Sequence, residues 1–213
     1  MNARLSNRQI EEQLIIAEFA VPREFAFQPG EYVQIILPGG LKRYFSVASS
    51  PSQQGTVRIA TRPSHSEFKK ILAAMPLGTD VEIKGPWGDM VLPKDESVKL
   101  TFVAGGIGIT PFLSMLSELV SQRSERDVQL LHFTDDKIFE DELRDYIANL
   151  PNGKMDVIYE RINPEIIKMK IPDYQTRTFF LAAPPGFVNV ATAILQELQI
   201  PNRQTIGESY TGY

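Results

Sequence analysis

The sequence predicts two domains, an antiparallel β-barrel or sandwich over residues 1–95 and an α/β domain with a parallel sheet over residues 96–213. Three observations support this division. Short β-rich segments separated by turn signals fill the first part, and strands alternate with helices in the second. The polar stretch Pro93–Glu96 separates the two patterns, and 213 residues fit one large or two small domains.

The first part contains five segments typical of strands and one typical of a helix. The expected strands are residues 14–19, 32–37, 43–48, 57–61 and 81–84. Pro29-Gly30 and Pro38-Gly39-Gly40 bound the second of them as turns. The helix is expected over Ser66–Leu72, with Ser66 as its N-cap.

The second part alternates apolar strands with amphipathic helices. Leu100–Ala104 is continuously apolar, which is typical of a strand covered on both faces. Further strands are expected at residues 128–133, 155–159, 178–182 and 204–206, and helices at 112–120, 139–150 and 188–198. This alternation predicts a parallel sheet with right-handed crossovers.

The composition excludes several classes of function. The chain has no cysteine, so it contains no disulfide, zinc–thiolate site, thiol nucleophile or cysteine-ligated iron–sulfur cluster. His65 and His132 are too few for most metal sites, and we expect His132 to be a partly buried strand residue. The net charge of −4 argues against nucleic acid as a partner. No apolar run is long enough to be an integral membrane segment and no secretory signal is visible, so a cytoplasmic location is expected.

A glycine-rich turn joins the first strand of the second part to its first helix. It reads Gly105-Gly106-Ile107-Gly108-Ile109-Thr110-Pro111. In a parallel sheet, such a turn brings a pyrophosphate to the backbone and to the N–H groups that begin a helix. The spacing departs from the usual dinucleotide fingerprint, so a turn without a ligand remains an alternative.

Together with Arg43-Tyr44-Phe45-Ser46 and Gly85-Pro86-Trp87-Gly88, this turn resembles the ferredoxin–NADP reductase superfamily, in a stand-alone form without an iron–sulfur domain. The resemblance implies an antiparallel β-barrel flavin domain, residues 1–95, followed by an α/β parallel-sheet nucleotide-binding domain, residues 96–213. It implies that Arg43 pairs with the FAD pyrophosphate, that Phe45 packs on the isoalloxazine ring in place of tyrosine, and that Ser46 lies near flavin N5.

The resemblance implies further FAD contacts. They are Tyr44 beside those residues, and Ser64, His65 and Ser66 at the start of the barrel-domain helix. FAD is favoured over FMN because both Arg43 and the helix that Ser66 begins then have a pyrophosphate to bind. At the C-terminus, Glu208 is expected to orient Ser46 by a hydrogen bond, and Tyr210 or Tyr213 to cover the flavin.

The NAD(P) site implied by the resemblance comprises residues of three loops. They are Gly105, Gly106, Gly108, Thr110, Pro111, Asp135, Ala182, Pro184 and Pro185. Ala183 stands where the family has glycine, and we hypothesise that its Cβ crowds the nicotinamide. Asp135 and Asp136 favour NADH, because carboxylates repel a 2′-phosphate, while Lys137 leaves NADPH open.

The implied function is a flavin-dependent NAD(P)H oxidoreductase. Hydride passes from the nicotinamide to FAD, and electrons then pass to a separate acceptor: ferredoxin, flavodoxin, a cytochrome, an oxygenase or free flavin. Ser46 and Glu208 are the expected catalytic residues. One alternative is a non-catalytic or degenerate flavin-binding electron-transfer subunit of a larger complex, and another is a scaffold that binds no flavin.

Overall fold

The computed structural model describes residues 1–209, which form two compact units. The first unit comprises Met1–Leu92 together with Thr110–Glu118. Among the described residues, the second comprises Pro93–Ile109 together with residues 119–209. The segment 110–118 therefore belongs with the N-terminal residues in space, although more than fifteen residues separate them in sequence.

A six-stranded antiparallel sheet forms the first unit. Its strands are β1 (Asn2–Ile10), β2 (Ile15–Ala20), β3 (Tyr32–Ile36), β4 (Lys42–Ser46), β5 (Thr56–Thr61) and β6 (Asp80–Trp87). They are ordered β4-β3-β6-β1-β2-β5. Immediately after β4, the Ala48 amide donates to the Arg58 carbonyl of β5 at 2.7 Å. Because this bond joins the two edges of the sheet, the sheet closes into the predicted barrel.

Strand β1 is the one element of the barrel that the sequence did not predict. It lies between β6 and β2 in the sheet, but only Ala3 and Leu5 among its residues are buried. The strand lacks a run of β-branched or aromatic residues, so its alternation is too weak to be recognised. Tertiary pairing, rather than local propensity, determines this strand.

The barrel encloses an apolar core that includes part of a helix. Helix α1 (Glu67–Ala74) places Phe68 and Leu72 in this core beside Val33 and Ile35 of β3. Burying side chains of this size stabilises the fold by about 1.5–3 kcal/mol each. The core therefore holds the first turns of α1 against the barrel.

The second unit is built on a five-stranded parallel sheet. Its strands are β7 (Leu100–Gly105), β8 (Val128–Phe133), β9 (Gly153–Ile158), β10 (Thr178–Ala183) and β11 (Thr205–Ser209). The connecting helices are α2 (Thr110–Ser121), α3 (Glu140–Ala148), α4 (Pro164–Lys170) and α5 (Pro185–Glu197). All residues of β7 are buried, as its continuous apolar run predicted, and all residues of β8 are buried as well. Helix α4, of seven residues, was not predicted.

The strand order β11-β10-β7-β8-β9 places the topological switch point between β7 and β10. From β7 the chain proceeds to β8 and β9 on one side, and then returns to β10 and β11 on the other. In sheets of this kind, ligands bind outside the carboxyl ends of the strands at the switch point. Gly105 and Ala183 end the two strands there.

A buried arginine holds the opposite, amino-terminal edge of this sheet. Arg177 is 1% exposed and precedes β10. Its guanidinium donates to the Leu100 carbonyl at 2.9 Å, to Asp173 at 2.8 Å and to Asp127. Burial raises the pKa of Asp173, but hydrogen bonds from Arg177 and Lys99 outweigh it and lower that pKa to about 2.

Four hydrogen bonds attach helix α2 to the segment that follows β4. The Glu118 carboxylate accepts from the Ser50 hydroxyl, and from the Ser52 hydroxyl and amide at 2.7 and 3.2 Å. One turn earlier, the Ser114 hydroxyl donates to the Ser49 carbonyl at 2.7 Å. These bonds explain why residues 110–118 belong to the first unit.

No helix within residues 1–209 has the length and apolarity needed to cross a membrane.

Candidate functional site

Strand β4 presents its candidate residues on two opposite faces. Arg43 lies opposite Ile35 of β3, and Phe45 lies opposite Val33, so both share the face of these core residues. Tyr44 points the other way, is 61% exposed and contacts Tyr32 and Trp87 edge-on. The structure therefore groups Arg43 with Phe45 and does not bring Tyr44 to them.

An aromatic contact joins β4 to helix α1. The ring centroids of Phe45 and Phe68 are 5.5 Å apart. Phe68 is anchored in the barrel core, while Phe45 remains partly exposed beside it. This contact places the β4 face that carries Arg43 next to the first turn of α1. Ser46 is buried at the end of β4.

Helix α1 begins after Ser66, as predicted, but Ser66 does not cap it. The Ser66 backbone is extended, its hydroxyl makes no capping bond, and the oxygen is buried without a partner. The amide of Ser66 donates to the Ser64 hydroxyl at 3.2 Å, and His65 is exposed. A buried hydroxyl with no acceptor or donor is costly, so Ser66 is suited to bind a ligand.

The arginine of β4 also has a buried polar atom without a hydrogen-bond partner. Arg43 donates through one terminal nitrogen to the Lys42 carbonyl at 2.8 Å, while its Nε is buried without a partner. Its positive charge also acts on Lys69 of α1, a buried lysine that sequence reasoning missed because adjacent lysines usually indicate a solvated surface. These polar groups, beside the half-exposed ring of Phe45, fit the pyrophosphate and ring system of FAD.

At the switch point, two glycines permit close packing between β7 and β10. A Cβ on Gly105 would lie 2.7 Å from the Ala183 Cβ, and one on Gly108 would lie 2.1 Å from the Ala182 carbonyl oxygen. Gly106 has φ of +54°, which favours glycine. The absence of side chains at positions 105 and 108 is thus required by the protein itself, whether or not a nucleotide binds there.

The same geometry explains alanine at position 183. Its side chain is fully buried and faces Gly105, and the ring of Phe187 lies 3.4 Å from the position that a Cβ on Gly105 would take. Phe187 in turn packs on Phe133 at the end of β8, with ring centroids 5.4 Å apart. The Ala183 methyl occupies the space that glycine leaves at position 105, an arrangement that does not support crowding of a nicotinamide by that methyl.

The remaining nucleotide-site candidates lie at the carboxyl end of the sheet or at a helix start. Asp135 is exposed two residues beyond β8, and Pro184 and Pro185 lie where β10 leads into α5. Thr110 and Pro111 are buried at the start of α2. Glu208 is half-buried on β11, opposite Ala182. Tyr210 and Tyr213 lie outside the described residues.

His132 positions the glycine-rich turn. It is fully buried in β8, rather than partly buried as expected, and its Nε2 lies 2.9 Å from the Gly106 carbonyl oxygen. This contact fixes the orientation of the second residue of the turn. Within residues 1–209, no three potential metal-ligating side chains of His, Asp or Glu are grouped closely enough to hold an ion.

Known proteins similar to this chain are flavin and nicotinamide-nucleotide enzymes. Residues 3–92 match the family model described as the oxidoreductase FAD-binding domain. The chain is 31% identical over 185 residues to an NADPH oxidoreductase of Mycobacterium tuberculosis, covering 80% of this chain and 49% of that protein. It is 23% identical over 197 residues to the glycine betaine monooxygenase reductase subunit of Chromohalobacter salexigens, covering 82% and 54%. The chain spans about half the length of these relatives.

Two solved structures share the fold over nearly the whole chain. One is a ferredoxin NADP+ reductase from Neisseria gonorrhoeae with bound FAD and NADP, with a TM-score of 0.81, 20% identity and coverage of 100% of this chain and 98% of that one. The other is the flavohem-like FAD/NAD binding domain of nitric oxide dioxygenase from Vibrio cholerae, with a TM-score of 0.83, 20% identity and coverage of 98% of both chains.

Proposed function

We propose that this chain belongs to the ferredoxin–NADP reductase superfamily and that it is an FAD-dependent NAD(P)H reductase supplying electrons to a separate acceptor. The observation that carries the proposal is the group of unpartnered polar atoms on Arg43 and Ser66 beside the ring of Phe45. A pyrophosphate linked to an aromatic ring system satisfies both features at once. We assign FAD binding to residues 1–95 and nucleotide binding to residues 96–213.

The residues of the barrel unit bind and orient the cofactor in this proposal. Arg43 neutralises pyrophosphate charge, the Ser66 hydroxyl donates a hydrogen bond, and the uncapped first turn of α1 offers backbone N–H groups. Phe45 supplies an apolar surface for the flavin ring, and Ser46 is the proposed hydrogen-bond donor to that ring. Bound FAD supplies the redox chemistry, accepting a hydride from reduced nicotinamide and releasing electrons to the acceptor.

The second unit binds the nicotinamide nucleotide at the switch point of its sheet. Gly106 and the start of α5 at Pro184–Pro185 flank that point. Asp135 is exposed beyond β8, where a carboxylate accepts a hydrogen bond from a ribose 2′-hydroxyl and repels a 2′-phosphate. We therefore propose NADH as the preferred donor. Glu208, at the same edge, is the proposed orienting residue for Ser46.

The acceptor is proposed to be a separate redox protein. The similar proteins include an oxygenase reductase subunit, which favours an oxygenase component as that partner. The chain itself has no cysteine to ligate an iron–sulfur cluster, so electrons leave it from an organic cofactor.

Anaerobic stopped-flow reduction tests this function directly. The full chain, loaded with FAD, is mixed with NADH and with NADPH in parallel experiments. Flavin absorbance near 450 nm is recorded over a time range on the order of milliseconds to seconds. We expect both nucleotides to bleach the flavin, and at equal low concentrations we expect NADH to reduce it faster than NADPH. Asp135→Asn should reduce this difference in rate between the two nucleotides. Asp141→Asn on α3 is the acidic control and should leave the difference unchanged. An FAD-loaded protein that neither nucleotide reduces would overturn the reductase and favour the electron-transfer module.

A further inference from the structure

Lys69 is a buried lysine without a role in the function proposed so far. It is 6% exposed and forms no hydrogen bond or ion pair with any other residue within 1–209. Lysine is almost never buried to this extent unless its charge is paired. Its Nζ is not among the buried atoms that lack a partner, so the aliphatic part of the side chain is buried while the ammonium group keeps some contact with solvent.

The surroundings of Lys69 add positive charge instead of compensating for it. Burial is the larger cause that lowers the pKa of Lys69, and the charge of Arg43 lowers it further. Lys69 is also the third residue of α1, where the helix dipole presents its positive end. Burial, the charge of Arg43 and the helix dipole all disfavour an ammonium group at this position. An anion bound beside Lys69 would offset all three.

Lys69 lies at the same end of α1 as the unpartnered hydroxyl. Ser66 immediately precedes the helix and Lys69 is its third residue, so both belong to its first turn. Phe68, between them, packs on Phe45, and this contact places Arg43 of β4 near that turn. Two cationic side chains, neither of which forms an ion pair within residues 1–209, therefore lie near one buried hydroxyl.

We propose that Lys69 is a phosphate ligand that completes, with Arg43 and Ser66, a cradle for the pyrophosphate of a flavin dinucleotide. The assignment rests on the proposed function, since it takes FAD as the source of the anion. It implies that the lysine is retained for binding at the expense of the stability of the cofactor-free protein.

This role has a signature that a structural role lacks. Replacing Lys69 by an uncharged side chain of similar length removes attraction for the anion, so affinity for FAD falls. The same replacement removes a partly desolvated charge that Arg43 repels, so the cofactor-free protein becomes as stable as the wild type or more so. If the role of Lys69 were packing, the replacement would lower both the affinity for FAD and the stability of the cofactor-free protein. Lys70 is exposed on the same helix, and Lys70→Met is the matched control.

The experiment uses the full chain without cofactor, in wild-type, Lys69→Met, Lys69→Arg and Lys70→Met forms. Affinity for FAD and for riboflavin, which has no phosphate, is measured by fluorescence titration, and Tm is measured without ligand. We expect Lys69→Met to weaken FAD binding roughly tenfold to a hundredfold, the range of a lost charge-assisted hydrogen bond. Riboflavin affinity should be unchanged and Tm equal or higher. Lys69→Arg should retain most of the FAD affinity, and Lys70→Met should match the wild type.

Inorganic pyrophosphate separates this assignment from the proposed function. It should raise the Tm of the wild type and of Lys70→Met, and raise that of Lys69→Met much less. A wild type that responds to pyrophosphate through Lys69 but binds no FAD would support the cradle and overturn the reductase. A wild type that binds FAD no better than Lys69→Met does, or a Lys69→Met protein with a lower Tm in the absence of ligand, would overturn the role of Lys69 and leave the reductase standing.

Discussion

Moving one methyl group between β7 and β10 tests the packing at the switch point. The variants are Gly105→Ala, Ala183→Gly and the double variant, which transfers the methyl from one strand end to the other. In Gly105→Ala the new Cβ lies 2.7 Å from the Ala183 Cβ, which is about 1 Å closer than the usual carbon–carbon contact. Relieving such an overlap typically costs about 1–3 kcal/mol of stability.

The other two variants follow from the same geometry. Ala183→Gly loses a fully buried methyl, worth about 0.8 kcal/mol, and adds a strand glycine, which costs about 0.5–1 kcal/mol. In the double variant the methyl at position 105 fills the space vacated at position 183, and the glycine penalty moves from one strand to the other. We therefore expect the double variant to lie within about 1 kcal/mol of the wild type, with a favourable coupling of roughly 2 kcal/mol.

Urea unfolding followed by far-ultraviolet circular dichroism measures these differences. Gly186→Ala in helix α5 is the control for steric overlap, because a Cβ there meets nothing within 4 Å; it should leave stability unchanged or raise it by up to about 1 kcal/mol. A Gly105→Ala protein as stable as the wild type, or a double variant no more stable than Gly105→Ala, would refute this account of the packing. The buried position of Ala183 also predicts no gain in kcat for Ala183→Gly, whereas the crowding hypothesis predicts an increase.

Two further predictions concern the nucleotide unit. Gly108→Ala places a Cβ 2.1 Å from a backbone oxygen that cannot rotate away, so we expect a loss of more than about 2 kcal/mol in the same urea assay. Gly186→Ala, the steric control, should show no loss. Unchanged stability of Gly108→Ala with weakened nucleotide binding would instead show that Gly108 serves the ligand. The Asp173 pKa of about 2 lies below its ordinary value of 3.8, so its stabilising contribution is present above about pH 4 and is lost as the pH falls towards 2. Because the side chain is 35% exposed, we expect that contribution to be about 1 kcal/mol. Asp173→Asn should abolish this part of the pH dependence of the free energy of unfolding. A variant with the same pH dependence as the wild type would contradict the assignment of this contribution to Asp173.

The sequence predicted the order and type of most elements because their apolar patterns are strong. Strand β7 is predicted by its continuous apolar run, β8 by a mainly apolar segment, and the helix after the glycine-rich turn by its periodic apolar residues. Helix α4 was not recognised because it is short and begins at a proline, although Asn163 caps it by accepting from the Ile166 amide at 2.9 Å. Short elements held by tertiary packing carry too little local signal.

The candidate site was predicted less completely, for a different physical reason. A motif shows which residue types are present, but it does not show which polar atoms are left without partners on burial. Lys69 is adjacent to Lys70 in sequence and looks identical to it, yet one is buried and the other exposed. Likewise, the sequence analysis assigned Gly105 and Gly108 to nucleotide binding. Their close neighbours in β10 are about eighty residues away in sequence, so the packing that requires glycine there is not visible from the motif.

The attachment of α2 to the segment after β4 bears on how this chain can be divided by an experimenter. An expressed fragment that stops at Leu92 retains every barrel strand but lacks Ser114 and Glu118, so Ser49, Ser50 and Ser52 lose the groups that hold them. Chimeras that exchange the C-terminal part at the linker would likewise import a foreign helix into the first unit. A crossover beyond Glu118 keeps α2 with the barrel but separates β7 from its partners β8 and β10, so no single crossover point divides the chain into its two units.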